Sequence, residues 1–126
     1  MTKKEIKYLK QTIANTIKDS IPLIDRLKEL DSYICENTNT ISNDDIIELL
    51  TLYEKAIEME KKIVSNMQLL PDKNNNDIAM MQHTEDFIKF LQEAHIDIFR
   101  LFYKTNKVVW TPGSMVTKFI KRRNNE

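Results

Sequence analysis

The sequence predicts an all-α fold: three long antiparallel amphipathic helices, the first kinked or split near Pro22, and a short C-terminal helix, assembled as a helical bundle. Three observations predict it. Apolar residues recur at three- and four-residue steps over most of the chain, which is the period of a helix with one buried face. There is one glycine and there are three prolines in 126 residues, too few for the turns that a sheet of several hairpins requires. With 41% apolar and 30% charged residues the composition is that of a globular chain with solvated outer faces, not of a disordered one.

The first element begins near Lys3. Ile6, Leu9, Ile13, Leu23, Leu27, Leu30 and Ile34 fall on one heptad frame, and Ile17 and Ile24 widen the stripe. Thr16 and Ser20 occupy the same frame in its middle, close to Pro22, which lacks the amide donor a helix interior uses. Two helices near residues 3–18 and 20–36, the second capped by Ser20, are therefore as consistent as one bent helix.

The second element follows the polar stretch ENTNTISNDD, in which Ser42 and Asp45 have the spacing of a capping box with an acid near the positive helix end. Ile46, Leu49, Leu50, Tyr53, Ile57, Val64, Met67 and Leu70 carry the helical period as far as Pro71. Residues 71–77, PDKNNND, read as a polar interhelical loop, with Asp77 as cap of the next helix.

The third element, from Ile78 to Tyr103, is the most apolar, with Phe87, Ile88, Phe90, Leu91, Ala94, Ile98, Leu101 and Phe102 on a broad face. It is expected to be the best-buried helix. Lys89, Glu93, Asp97, Arg100 and Lys104 draw a polar stripe down its other side. Beyond it, Lys107 to Trp110 reads as extended, Thr111-Pro112-Gly113 as a turn, and Ser114 as cap of a terminal helix carrying Met115, Val116, Phe119 and Ile120. Residues 121–126 form a basic and polar tail. Helices of this length run to about 40 Å, and short connections favour antiparallel neighbours; residues 1–126 are read as one domain.

Composition also bounds function. Cys35 stands alone, so the chain has neither an internal disulfide nor a multi-thiolate zinc site, and a reducing, cytoplasmic location is expected. No apolar run resembles a secretory signal or a transmembrane segment. Nineteen bases balance nineteen acids overall. Between Asp25 and Glu60, however, ten acids face three bases, a local charge of minus seven, and the remainder carries plus seven with KFIKRRNNE as its most basic part.

No catalytic constellation emerges, and no catalytic, cofactor-binding or metal-ligating residue is assigned. His83 and His95 lie about 18 Å apart on one helix, too far to share a metal. They are read as packed or surface polar residues. Glu54 and Glu58, near Lys61 and Lys62, have the spacing of Mg²⁺ ligands in a helical nucleotide hydrolase, but solvated i,i+4 pairing explains them far better. The carboxylates available on the next helix, Glu85, Asp86, Glu93 and Asp97, are interleaved with Lys89 and Arg100. Arg100 has no following histidine to make the Arg and His pair of helical nucleases. Cys35 is expected to be a buried or half-buried thiol, and one glycine leaves no phosphate-cradling loop.

The expectation is thus a non-enzymatic, protein-binding helical module of the inhibitor, adaptor or chaperone type, without cofactor. Trp110, Met115, Phe119, Lys118, Lys121, Arg122 and Arg123 are its candidate partner-binding residues. Met59, Met67, Met80, Met81 and Met115 suit either a core or an adaptable contact surface. Two other classes stay open: binding of nucleic acid or another anionic surface through the basic C-terminal helix, and self-association as a homo-oligomer through an incompletely covered stripe. Size and helicity are similar to those of small export chaperones and bacteriocin-immunity bundles, although no motif selects either. Abundant Ile, Lys and Asn suit an AT-rich genome, such as that of a phage or another mobile element.

Overall fold

The computed structural model describes residues 1–37 and 40–105, and within them the chain forms three helices and no strand. These are α1 (Lys3–Glu36), α2 (Asn43–Gln68) and α3 (Asn75–Thr105). The terminal helix expected from Ser114, and with it Trp110, Met115, Lys118, Phe119, Lys121, Arg122 and Arg123, lies outside the described residues.

Each helix start has a local chemical reason. The Thr2 hydroxyl accepts the Glu5 amide at 3.1 Å, which satisfies one of the amides that a helix leaves unpaired at its N-terminus. Ser42 and Asp45 complete the expected capping box, the Asp45 amide donating to Ser42 Oγ at 3.2 Å and the Ser42 amide donating to Asp45 at 3.3 Å. The third start differs from the sequence expectation. Asn74, not Asp77, is the cap: its side-chain oxygen accepts the Asp77 amide at 2.8 Å, and Asp77 reaches back to the Asn74 amide. Residues 75–77 therefore belong to α3, and the loop is shorter than 71–77. Lys73 closes the other side of that loop, its ammonium donating to the carbonyls of Leu70 and Gln68 at 2.7 and 3.1 Å, where the end of α2 carries its partial negative charge.

Pro22 does not divide α1, which runs unbroken for 34 residues. The proline and Lys18, whose carbonyl it leaves without a helical donor, are both exposed, so water is available to that oxygen. Ser20 does not cap a second piece either. It is buried, and its hydroxyl donates to the Ile17 carbonyl at 2.7 Å. Thr16 does the same one turn earlier, donating to Thr12 at 2.9 Å. Both hydroxyls thereby satisfy themselves within their own helix.

The clusters of buried residues define the topology. Leu9 and Ile13 near the start of α1 pack with Ile63, Met67 and Leu70 near the end of α2. Leu27 and Leu30 pack with Leu49, Leu52, Tyr53 and Ala56, so α1 and α2 are antiparallel. Phe99 joins Ile46 and Leu50, whereas Met81 lies against the Met67 end, so α3 is antiparallel to α2. Helix α2 packs closely against both neighbours, and α1 and α3 approach each other far less. Among the described residues the best-buried helix is consequently α2, not α3. Ile78, Met80, Phe90 and Ile96 of α3 are exposed, because a flanking helix has one neighbour to bury its broad apolar face against and the central helix has two. No helix among the described residues is long and apolar enough to cross a membrane.

Candidate functional site

Two polar contacts mark the outer margins of the layer. On the α1 side, the Arg26 guanidinium donates to Glu48 Oε1 from Nη2 at 3.0 Å and from Nε at 3.3 Å. On the α3 side, His95 Nε2 lies 3.6 Å from Glu54 Oε1. At 100° per residue, Ile21 lies on the flank of the α1 stripe opposite Arg26. Phe90 lies on the flank of α3 opposite the one that carries His95 toward Glu54. Because α1 and α3 approach each other far less than either approaches α2, these two remaining flanks border the groove that two helices packed on a third leave between them.

The groove is apolar on both walls. Ile17, Ile21 and Ile24 lie along the α1 wall, with Ile21 55% exposed, and Phe87, Phe90 and Ala94 along the α3 wall, with Phe90 60% exposed. Phe87 and Phe90 stack with ring centroids 6.4 Å apart and planes 12° from parallel. Because α1 and α3 both run antiparallel to α2, they are parallel to each other. Ile17 packs in the same cluster as Met81, and Ile24 in the same cluster as Phe87 and Leu91, so Phe90 stands about one turn beyond Ile21 along the parallel helices. Exposed Asp86, Glu93 and Asp97 share the outer face of α3 with Phe90 and give that rim a negative character; Lys18, Asp25 and Lys28 make the opposite rim mixed.

Beneath the groove lies Glu60, on the centre of the buried face of α2 between Ala56 and Ile63. It is only 8% exposed. Burial raises its pKa, and the nearby His83, exposed on the α3 rim, lowers it in part. Thr16, Ser20 and Thr84 are buried as well, and the Thr84 hydroxyl donates within its own helix to Met80 at 2.8 Å. The middle of the bundle is thus a polar level between two apolar clusters, with a carboxyl as its one ionisable member among the described residues.

At the outer margin, His95 and Glu54 are in contact without a hydrogen bond. A separation of 3.6 Å is too long for a hydrogen bond, and His95 Nε2 is buried with no hydrogen-bond partner. Burial lowers the His95 pKa and raises that of Glu54, and each shift favours the neutral form. Burial likewise raises Asp31. Tyr53 is pushed up to about 12 by burial, then by the charges of Asp31 and Cys35, so its hydroxyl stays protonated.

The remaining sequence candidates are dispersed. Cys35 is exposed rather than buried, being near the end of α1 and off its stripe. Met67 is a core residue, and Met80 is on the surface. Glu54 turns toward His95 and Glu58 is exposed. Among the described residues no group of three or more His, Cys, Asp or Glu side chains is placed to hold a metal ion. Sequence reasoning missed Ile21 and Phe90 as surface features because their spacing fits a helix core as well as an exposed flank. No protein family, curated protein or solved structure matches the chain.

Proposed function

We propose that the chain is a non-enzymatic protein-binding module, of the inhibitor, adaptor or chaperone kind, and that it receives an amphipathic helix of its partner in the groove between α1 and α3. The observation that supports this reading is that Ile21 and Phe90, on the flanks of α1 and α3 that lie on the same side of α2, are large apolar side chains left 55% and 60% exposed. Scattered apolar residues are ordinary on any surface; two apolar walls on one concave strip match the helix-in-groove mode, in which anchors one turn apart insert between two helices. A fourth helix there would complete the bundle.

Site-specific photo-crosslinking tests the proposal. With p-benzoylphenylalanine in place of Phe90, the expected adduct in host cells is a protein, retained after nuclease treatment, whose crosslinked peptide is an amphipathic helical segment. The same probe in place of Tyr8, which is 76% exposed outside the groove, should give no such adduct. Equal labelling from both positions, or adducts with nucleic acid alone, would overturn the reading.

A further inference from the structure

We infer that a second copy of the chain packs on the outer face of α1, with the two α1 helices antiparallel and related by a two-fold axis near Ile21 and Pro22. The inference goes beyond the groove reading and does not rest on it. The face belongs to α1 alone, and Ile21 is the one residue common to both.

The order of charge along that face carries the assignment. At 100° per residue, Lys7, Ala14, Lys18, Asp25, Ser32 and Glu36 fall within an arc of about 40°. The arc lies on the side of α1 away from Leu9, Ile13 and Leu27, and all six residues are exposed. Both bases precede Ile21 and both acids follow Pro22, while Arg26 and Lys28, the bases of the second half, lie outside the arc. Lys7, Lys18, Asp25 and Glu36 make no ion pair among the described residues. An antiparallel copy centred between Ile21 and Pro22 sets Lys7 opposite Glu36 and Lys18 opposite Asp25, each pair occurring twice. A parallel copy in register would set base on base and acid on acid. The antiparallel contact is isologous and closes at two copies. Ile21, 55% exposed, borders the arc beside the axis and would meet its own equivalent, which gives the contact an apolar centre.

The electrostatics of a single helix do not account for this order. The amide end of a helix favours acids and the carbonyl end favours bases. Helix α1 instead has Lys3 and Lys4 beside Glu5 in its first turn, and Glu36 with no base in its last. In the antiparallel pair the lysine end of each helix lies beside the acidic carbonyl end of the other, so both mismatches are relieved.

Charge reversal with complementation tests the inference on the full chain. Sedimentation equilibrium at low salt should give a mass approaching twice that of the chain, falling toward the monomer at 1 M salt, where the screening length is about 3 Å. Lys7→Glu with Lys18→Glu should weaken the dimer by at least about tenfold, and so should Asp25→Lys with Glu36→Lys, because each sets like charges opposite one another. The four side chains are exposed, so both double variants should keep their helicity. An equimolar mixture of the two should dimerise again, since every pair across the axis is then of opposite sign. A wild type that stays monomeric at low salt, double variants that dimerise as well as the wild type, or a mixture that stays monomeric would overturn the inference.

A second readout fixes the orientation. With Cys35→Ser as background, Ile21→Cys should oxidise to a disulfide between two chains. Lys7→Cys should not, its two copies lying about 43 Å apart along the helix axes. Equal oxidation at both positions would count against the antiparallel pair.

Discussion

The level of the bundle that joins Leu27 and Leu30 to Leu49, Leu52, Tyr53, Ala56 and Leu91 is packed almost wholly with hydrocarbon. Half-way toward the other end, Thr16, Ser20, Glu60 and Thr84 are buried to a similar degree. The three hydroxyls there bond within their own helices, so none links one helix to another. The first level holds the helices together through area removed from water, whereas the second allows them to approach without contributing much to their cohesion. Glu60 is the one ionisable side chain at that second level among the described residues, and it is 8% exposed.

The largest test of this contrast is to remove bulk from each level. Leu49, in the apolar level, is 1% exposed, and Leu49→Ala should cost about 2–5 kcal/mol through lost burial and a residual cavity. Thr16→Ala, which deletes a hydroxyl bonded only to its own helix, should cost less than about 1 kcal/mol. Chemical denaturation of the two variants compares them; equal losses would show that the polar level contributes to cohesion as much as the apolar one.

The next effect concerns Glu60, and its sign is opposite. A carboxyl with a raised pKa in the folded state stabilises that state only while it is protonated. Stability is therefore full below the unfolded value near 4.3 and is lost as pH rises through the higher folded value. Glu60→Met removes the desolvated charge at similar volume and should stabilise the protein by about 1–3 kcal/mol at neutral pH, with a smaller gain at pH 4. A loss of stability at neutral pH would mean that the carboxylate has a stabilising partner, with His83 the first to test.

Much of this architecture was legible because helical period survives tertiary context. The heptad frame of α1 places Leu9, Ile13, Thr16, Ser20, Leu27 and Leu30 on its buried face, as the structure has them, and Ser42 with Asp45 forms the capping box that their spacing implies. The order of burial was not legible. α3 is the more apolar helix, but α2 is the better buried, since burial depends on how many neighbours a helix has and periodicity reports only that one face is apolar. The cap of α3 was placed at Asp77 instead of Asn74 for a related reason: both residue types cap well, and the outcome turns on which side chain meets the free amide. The groove was the least visible feature, because an isoleucine or phenylalanine one step off a stripe has the same sequence signature whether a neighbouring helix covers it or not.

His95 offers a smaller effect at the outer margin of the other interface. Its folded pKa lies below the unfolded value near 6.5, so its contribution is present above that value and declines as pH falls through it toward the folded one. His95→Phe should flatten stability between pH 7 and pH 5, and the added ring would lie near Phe99, now 6.0 Å from the imidazole. An unchanged slope would place the acid sensitivity elsewhere.

The smallest effect belongs to Arg26 and Glu48. Their contact is short, with two donors on one oxygen, but both side chains are about half exposed, and such pairs contribute about 0.2–1 kcal/mol because water screens the attraction and two long side chains are held in place. Arg26→Ala should therefore lower stability by that amount at low salt and by less at 1 M salt, where the screening length is about 3 Å. A loss independent of salt would identify the aliphatic stem of Arg26, not its charge, as what closes the outer edge of α1 against α2. In that case the closed margin would be held by packing.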